Sequence, residues 1–234
     1  FFIDSSNVKQ NCGNGNFADI AIFSFHPVKH IACGEGGMIT TNDSKLYSKL
    51  KMLRTHGITK NKFDFKNTIQ LANGYDINDD SYPAWYMEMH DLGYNYRLTD
   101  IQAALGISQL SRAKGGIEKR RKIAKKYFNF LNDKDYVIRQ SGIIEGHAYH
   151  LYVVEFKDRL NLYNFLRLNN IYAQIHYFPC HLMPYYKQFG YDHGDFPQVE
   201  NYYKNCISLP MFPELAQNDL ERIFDLLKEF YKNN

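Results

Sequence analysis

The stretch Phe23-Ser24-Phe25-His26-Pro27-Val28-Lys29-His30, followed by Gly34-Glu35-Gly36-Gly37, constrains the chain more than any other. The apolar run from Ile20 to Phe25 reads as a short buried strand. Pro27 then stops a ladder or a helix, because it has no backbone N–H. Lys29 falls just past that stop. The glycines that follow allow a tight turn or a close approach of backbone to a ligand. Met38-Ile39-Thr40-Thr41 resumes as a strand. A lysine on a strained connection between two buried strands is a candidate nucleophile. Among apolar groups its amine loses charge and can attack a carbonyl.

The remaining elements follow from periodicity and punctuation. Phe1-Phe2-Ile3 reads as a buried strand ending on the carboxylate of Asp4. Asn11 to Asn16 is a Gly/Asn-rich turn. Asn42 or Asp43 can cap a helix with Leu46, Leu50 and Leu53 on one face, and Gly57 can end it. Residues 58–91 read as a long polar loop or insertion. Thr99 with Gln102 fits a capping box, with Ile101, Leu105 and Leu110 as the apolar positions of the helix behind it. Gly115-Gly116 is expected to break that helix and to mark a domain boundary. A second helix follows, with Ile117, Ala124, Phe128 and Leu131 on one face. Beyond it come a strand over 149–156, a helix over 160–168 and a strand over 171–177. A final helix carries Leu220, Ile223, Leu227 and Phe230.

Composition narrows the function classes. The chain has 234 residues, 44% hydrophobic and 23% charged, as in ordinary globular proteins. Its net charge, 28 − 25 = +3, gives no argument for nucleic acid. No run of 18 apolar residues indicates a membrane span. Cys12, Cys33, Cys180 and Cys206 are scattered without a CxxC, which reads as reduced thiols in a cytoplasmic protein. The 19 Tyr and 17 Phe imply a ring-rich core and cleft.

FSFHPVKHIACGEGG, together with FIDSS, LRTHG, LGYNYRLTDIQAALGISQL and IHYFPCHLMPYY, resembles the sugar aminotransferases. These are the DegT/StrS-type branch of fold type I pyridoxal-phosphate (PLP) enzymes. The resemblance spans nearly the whole chain. It implies an α/β fold of the aspartate aminotransferase-like type. Residues 1–114 would be the C-terminal part of the large mixed-sheet, cofactor-binding domain, and residues 115–234 a small α/β domain. It also implies a longer enzyme, whose N-terminal part would carry more of the cofactor and sugar sites.

The same resemblance assigns roles. Lys29 would carry the cofactor as a Schiff base, and Asp4 would keep the pyridine nitrogen protonated. The other reading of Asp4 is a turn or capping aspartate, and that of Ser24, the implied phosphate contact, is a buried strand serine bonded to backbone. Asn7 occupies a position that usually holds His or Gln near the ring, so it departs from the pattern. Asn95 would reach the phosphate in the neighbouring subunit of a homodimer with shared sites. Tyr96 and Arg97 are candidates for sugar or diphosphate contact, and a surface salt bridge is the other reading of Arg97. His176, Tyr177, Phe178, Pro179 and His181 match the small-domain loop that meets the nucleotide sugar, and core packing at a strand end is their other reading.

The implied reaction moves an amino group from glutamate to the 4-keto carbon of a nucleotide-linked, UDP-type 6-deoxy sugar, for surface-glycan synthesis. Two alternatives are a PLP-dependent sugar dehydratase of the same family and a regulator that binds PLP or sugar without catalysis. Dehydratases without a Schiff-base lysine have His where this chain has Lys29. A zinc reading of His26, His30 and Cys33 lacks a nearby fourth ligand, and Pro27 forbids a regular helix between the histidines. The run Lys119-Arg120-Arg121-Lys122 with Lys125-Lys126 reads as a solvated helix face.

Overall fold

A computed structural model describes residues 1–75 and 80–233. It divides into two compact units. One is Ile3–Gln109, and the other joins Phe1–Phe2 to Leu110–Asn234.

Short elements make up the first unit. β1 (Phe2–Ile3) and β2 (Lys9–Gln10) form one two-stranded ribbon. β3 (Ala21–Ser24) and β4 (Gly37–Thr40) form a second, antiparallel, with Ser24 opposite Gly37. α1 (Ser44–Leu53) is capped as expected. Asp43 accepts from the backbone N–H groups of Lys45 (2.7 Å) and Leu46 (3.0 Å), two of the donors a helix start leaves unpaired. β5 (Ile58–Thr59) pairs with β6 (Glu88–Met89), and α2 (Ile69–Ala72) lies between them in sequence.

The strands are not buried, contrary to the expectation. Ile22 is 77% exposed, and Phe2, Ile3, Met38 and Ile39 are exposed as well. The physical reason is that each sheet here has only two strands, which cannot cover both faces of the pleat.

Residues 58–91 are mostly irregular, as expected, with β5, a 3-10 turn over Lys62–Asp64, α2 and β6 as their short regular pieces. Residues 76–79 lie outside the described part, but the rest folds around Glu88. Its buried carboxylate accepts from the amides of Lys66 (2.7 Å) and Asn67 (2.9 Å) and from Tyr86 Oη (3.1 Å), and it pairs with His90 Nε2 (2.7 Å). Burial would raise this carboxyl. The bonds from His90, Lys66, Asn67 and Tyr86 outweigh burial and hold it at about 2. Phe65, Tyr82 and Tyr86 pack ring to ring above it.

α3 (Asp100–Leu131) runs unbroken through Gly115-Gly116, which corrects the predicted break. Each glycine costs a helix about 1 kcal/mol relative to alanine, a penalty that tertiary packing readily offsets. That packing comes from Ile123, Ala124, Tyr127 and Leu131, all buried. Ile101, Leu105 and Leu110, the apolar positions of its first turns, are exposed.

The second unit has the larger core. β7 (Val137–Gln140), β8 (Tyr152–Phe156) and β9 (Cys206–Leu209) form an antiparallel sheet in that order, with Tyr152 opposite Leu209. α4 (Arg159–Leu168), α5 (Pro184–Lys187), α6 (Pro197–Asn205) and α7 (Gln217–Asn233) complete it. Leu162 and Leu166 of α4 and Leu220, Ile223 and Leu227 of α7 bury their apolar stripes with Val154 and Ile207 of the sheet. Tyr127 stacks on Tyr152 at 5.0 Å between centroids and donates to the Pro210 carbonyl at 2.9 Å.

The strand expected over 171–177 is reduced to one bridge, Gln174 to Ser208. Ile171 and Ala173 still face the core while Tyr172 and Gln174 face out. In the basic run, Arg120 departs from the solvated reading. It is 6% exposed, and one guanidinium nitrogen donates to the carbonyls of Tyr149, His150 and Met211.

Candidate active site

The 3–109 unit holds Asp4, Asn7, Ser24, Lys29 and the Asn95–Arg97 segment. Asp4 follows β1 and is half-buried rather than buried. Its Oδ1 accepts from the amides of Ser6 and Val8, both at 2.9 Å, and its Oδ2 accepts from Gln10 Nε2 at 2.8 Å. The Val8 amide and the Gln10 side chain hold this carboxyl below its ordinary range. Asp4 is therefore a turn aspartate, and an anionic one. Oδ2, with one bond accepted, keeps room for a further donor. Asn7 closes the turn onto the Asp4 carbonyl at 2.9 Å, with φ of 60°. Asn tolerates this left-handed backbone, which gives the residue a conformational task.

Polar bonds carry the Asp4 turn across to the lysine hairpin. Gln10 Oε1 accepts from Asn14 Nδ2 at 2.7 Å. Thr40 on β4 donates to the Gly13 carbonyl at 3.3 Å, and Asn42 to the Asn14 carbonyl at 3.1 Å.

On β3, Ser24 is exposed, not buried, and its Oγ accepts from the His26 amide at 3.4 Å. Lys29 stands in a turn closed by its own amide on the His26 carbonyl, 2.9 Å. It is half-buried, with Val28 beside it exposed, so it is not enclosed among apolar groups as expected.

Asn95 bridges to Thr55 at the end of α1. That crossing is tight. A Cβ on Gly57, where φ is 70°, would lie 1.8 Å from the Asp91 carbonyl oxygen and 3.1 Å from the Gly93 nitrogen. Tyr94 and Tyr96 stack at 4.8 Å, both exposed. Among the described residues Arg97 forms no ion pair.

The other unit holds the His176–His181 loop. His176 Nδ1 lies 2.8 Å from Ser208 Oγ and lines a cavity of about 410 Å³ with Gln174, Met211 and Arg222. Phe178 and Pro179 line a different cavity of about 570 Å³, with Arg159, Tyr203 and Lys204. Tyr177 is 70% exposed. His181 is buried, with Nε2 at 2.9 Å from Glu200, whose other oxygen meets His193 at 3.2 Å. His181 thus braces its own unit. The His181 bond, the Gly194 amide and His193 together lower the Glu200 carboxyl, against the opposing effect of burial. Among the described residues no group of three or more His, Cys, Asp or Glu side chains is gathered to hold a metal ion. No described helix is long and apolar enough to cross a membrane.

Sequence reasoning missed Gln10 and Glu88, each buried or half-buried; the Gln10 bond to Asp4 spans six residues and the Glu88 bonds to Lys66 and Asn67 more than twenty. For Gln102 the capping box gave a signal, but only for half of what its carboxamide does.

The DegT/DnrJ/EryC1/StrS aminotransferase family model matches residues 8–228, and the chain belongs to that family. Over 227 residues it is 34% identical to the spore coat polysaccharide biosynthesis protein SpsC of Bacillus subtilis, covering 93% of this chain and 55% of SpsC. It is 33% identical over 229 residues to a UDP-4-amino-4,6-dideoxy-N-acetyl-beta-L-altrosamine transaminase of Campylobacter jejuni. That match covers 91% of this chain and 52% of the relative. The chain spans about half the length of these curated relatives. Among solved structures it superposes on Helicobacter pylori PseC, an aminotransferase involved in the biosynthesis of pseudoaminic acid. The TM-score is 0.80 and the identity 28%, covering 100% of this chain and 59% of PseC. The fold class is that of the fold type I sugar aminotransferases, as the motifs implied.

Proposed function

We propose that the chain provides part of a PLP-dependent aminotransferase active site that moves an amino group from glutamate to the 4-keto carbon of a UDP-linked 6-deoxy sugar. The observation that carries this reading is Lys29, set in a turn between β3 and β4 with the Ser24 hydroxyl at the end of β3. The donor set fits the cofactor. An amine stands on a loop, a hydroxyl stands exposed for a phosphate, and a carboxylate is already anionic with acceptor capacity left. Bound PLP would supply an electron sink for carbanion chemistry. Lys29 would hold the cofactor, then move a proton as general base. Asp4, kept ionised by its turn, would accept the ring N–H. Ser24 would donate to phosphate, and Asn95 would serve the phosphate held by the partner subunit of a homodimer.

The likeness to SpsC, the Campylobacter transaminase and PseC supports an amino sugar as product, for a surface glycan of the pseudaminic acid type; the cytoplasm is the compartment this proposal assigns to the reaction. The Tyr94–Tyr96 stack and Arg97 offer exposed rings and an exposed cation for a nucleotide diphosphate.

The test is chemical mapping. The chain is incubated with PLP, reduced with borohydride and digested. The label is expected on the Lys29 peptide and is expected to vanish in Lys29→Arg, whose guanidinium cannot exchange as an imine. A label on another lysine, or none, overturns the assignment.

A further inference from the structure

We infer that Gln102 is a positioning residue for the Lys29 loop: its carboxamide fastens the closing arm of that loop to the entrance of α3. The functional meaning rests on the cofactor reading of Lys29, but the geometry does not. The loop is closed at its base by Phe25 N–H on the Gly36 carbonyl (2.9 Å) and Cys33 N–H on the Phe25 carbonyl (3.0 Å). Its closing arm, Cys33 to Gly36, is pinned at the carbonyl of Glu35. That oxygen accepts from Cys33 Sγ at 3.3 Å and from Gln102 Nε2 at 3.0 Å. At the other end of the same carboxamide, Oε1 accepts from the Thr99 amide at 3.1 Å and the Thr99 hydroxyl at 3.0 Å. The amide orientation is therefore fixed. A flip would set Oε1 against the Glu35 oxygen and Nε2 against the Thr99 amide, two repulsive pairs.

The surfaces agree with the bond. A Cβ on Gly36 would lie 2.7 Å from Leu98 Cδ1 and 3.0 Å from Cys33 Sγ, so the arm rests directly on the residue before the helix cap. Cys33 is buried there. Leu98 follows Arg97, so the contact reaches the Asn95–Arg97 segment as well. The clamp makes the Lys29 loop and that segment one mechanical piece. In the proposed dimer it ties the lysine of one site to the asparagine serving the other.

Glutamine alone meets both demands at this position. Glutamate keeps the capping box and has no N–H for Glu35. Gln102→Glu therefore separates the clamp from the cap, and Gln102→Ala removes both. Hydrogen exchange on the chain without cofactor reads them apart. The amides of Phe25 and Cys33 report the loop, and those of residues 102 and 103, bonded to Thr99, report the cap. In Gln102→Glu the loop amides should exchange about threefold to tenfold faster and the cap amides at the wild-type rate. In Gln102→Ala both sets should speed up. PLP-borohydride labelling of Lys29 should fall by a similar factor in Gln102→Glu, with labelling of Lys232 unchanged. A purely structural cap would move neither of the two loop readouts in that variant. Unchanged Phe25 and Cys33 amides in Gln102→Glu, or amides that speed up only together with the cap, would overturn the clamp. If the exchange pattern holds while wild-type Lys29 takes no label, the clamp stands and the cofactor reading falls.

Discussion

Replacing Arg120 by leucine is expected to remove a substantial share of the stability of the 110–233 unit. Its guanidinium Nη1 faces three backbone carbonyls, those of Tyr149 (3.1 Å), His150 (3.2 Å) and Met211 (2.7 Å). One nitrogen has two hydrogens, so the three acceptors share two full bonds. Charge-assisted bonds of this kind contribute about 1.5–3 kcal/mol each, which gives about 3–6 kcal/mol. Removing a buried cation also relieves its desolvation, which already pulls the Arg120 pKa down. The net loss expected is about 3–4 kcal/mol, against a total of about 5–15 kcal/mol for a domain. Geometry explains the size. The carbonyls flank β8 on one side and β9 on the other, so one side chain ties α3 to two strands. Guanidinium unfolding followed by tyrosine near-ultraviolet circular dichroism would read the change, since Tyr127 and Tyr152 stack in this core. Hydrogen exchange at Val154 and Ile207 would localise it. The exposed Lys122→Leu is the control and should change little. A loss below about 1 kcal/mol in Arg120→Leu would refute the reasoning.

Two further outcomes are expected in the other unit. Glu88, held at about 2 when folded, contributes stability that is present above its ordinary value of 4.5 and is lost as pH falls from there toward 2. The fluorescence of the single tryptophan, Trp85, which stands beside Tyr86, should follow that loss, and Glu88→Gln should flatten the profile in this window. Gly57→Ala should destabilise the unit by about 2 kcal/mol or more, because alanine is strained at φ 70° and its Cβ meets the Asp91 backbone. A thermal midpoint unchanged from wild type would contradict the tight crossing at Asn95.

Local signals in the sequence translated well where one segment decides its own structure. The Asp43 cap, the Thr99–Gln102 box and the stripe of α7 needed only neighbours three or four residues away. The motif family was legible for a related reason, since its segments are contiguous. Burial was not legible in the β3–β4 hairpin, because an apolar strand looks the same whether or not a third strand covers it. The Gly115-Gly116 break failed because propensity is a weak prior against the packing of Tyr127 and Leu131. Glu88 was invisible because its partners, Lys66 and Asn67, lie more than twenty residues upstream in a polar stretch.

The two units thus derive their order from different forces. Between 110 and 233, apolar side chains from α3, α4 and α7 bury against a three-stranded sheet, and position follows from packing. Between 3 and 109 the proposed site residues stand on turns and short strands with exposed apolar neighbours, and position follows from polar bonds. Asp4 depends on Gln10, Gln10 on Asn14, and the Lys29 arm on Glu35, Gln102 and Thr99. Hydrogen bonds are directional where apolar contacts are not, so such a network can hold an amine and a carboxylate in place with little core beneath them. The chemistry proposed for this chain is accordingly more sensitive to loss of a glutamine or threonine in these turns than to loss of a methylene in the tyrosine-rich core.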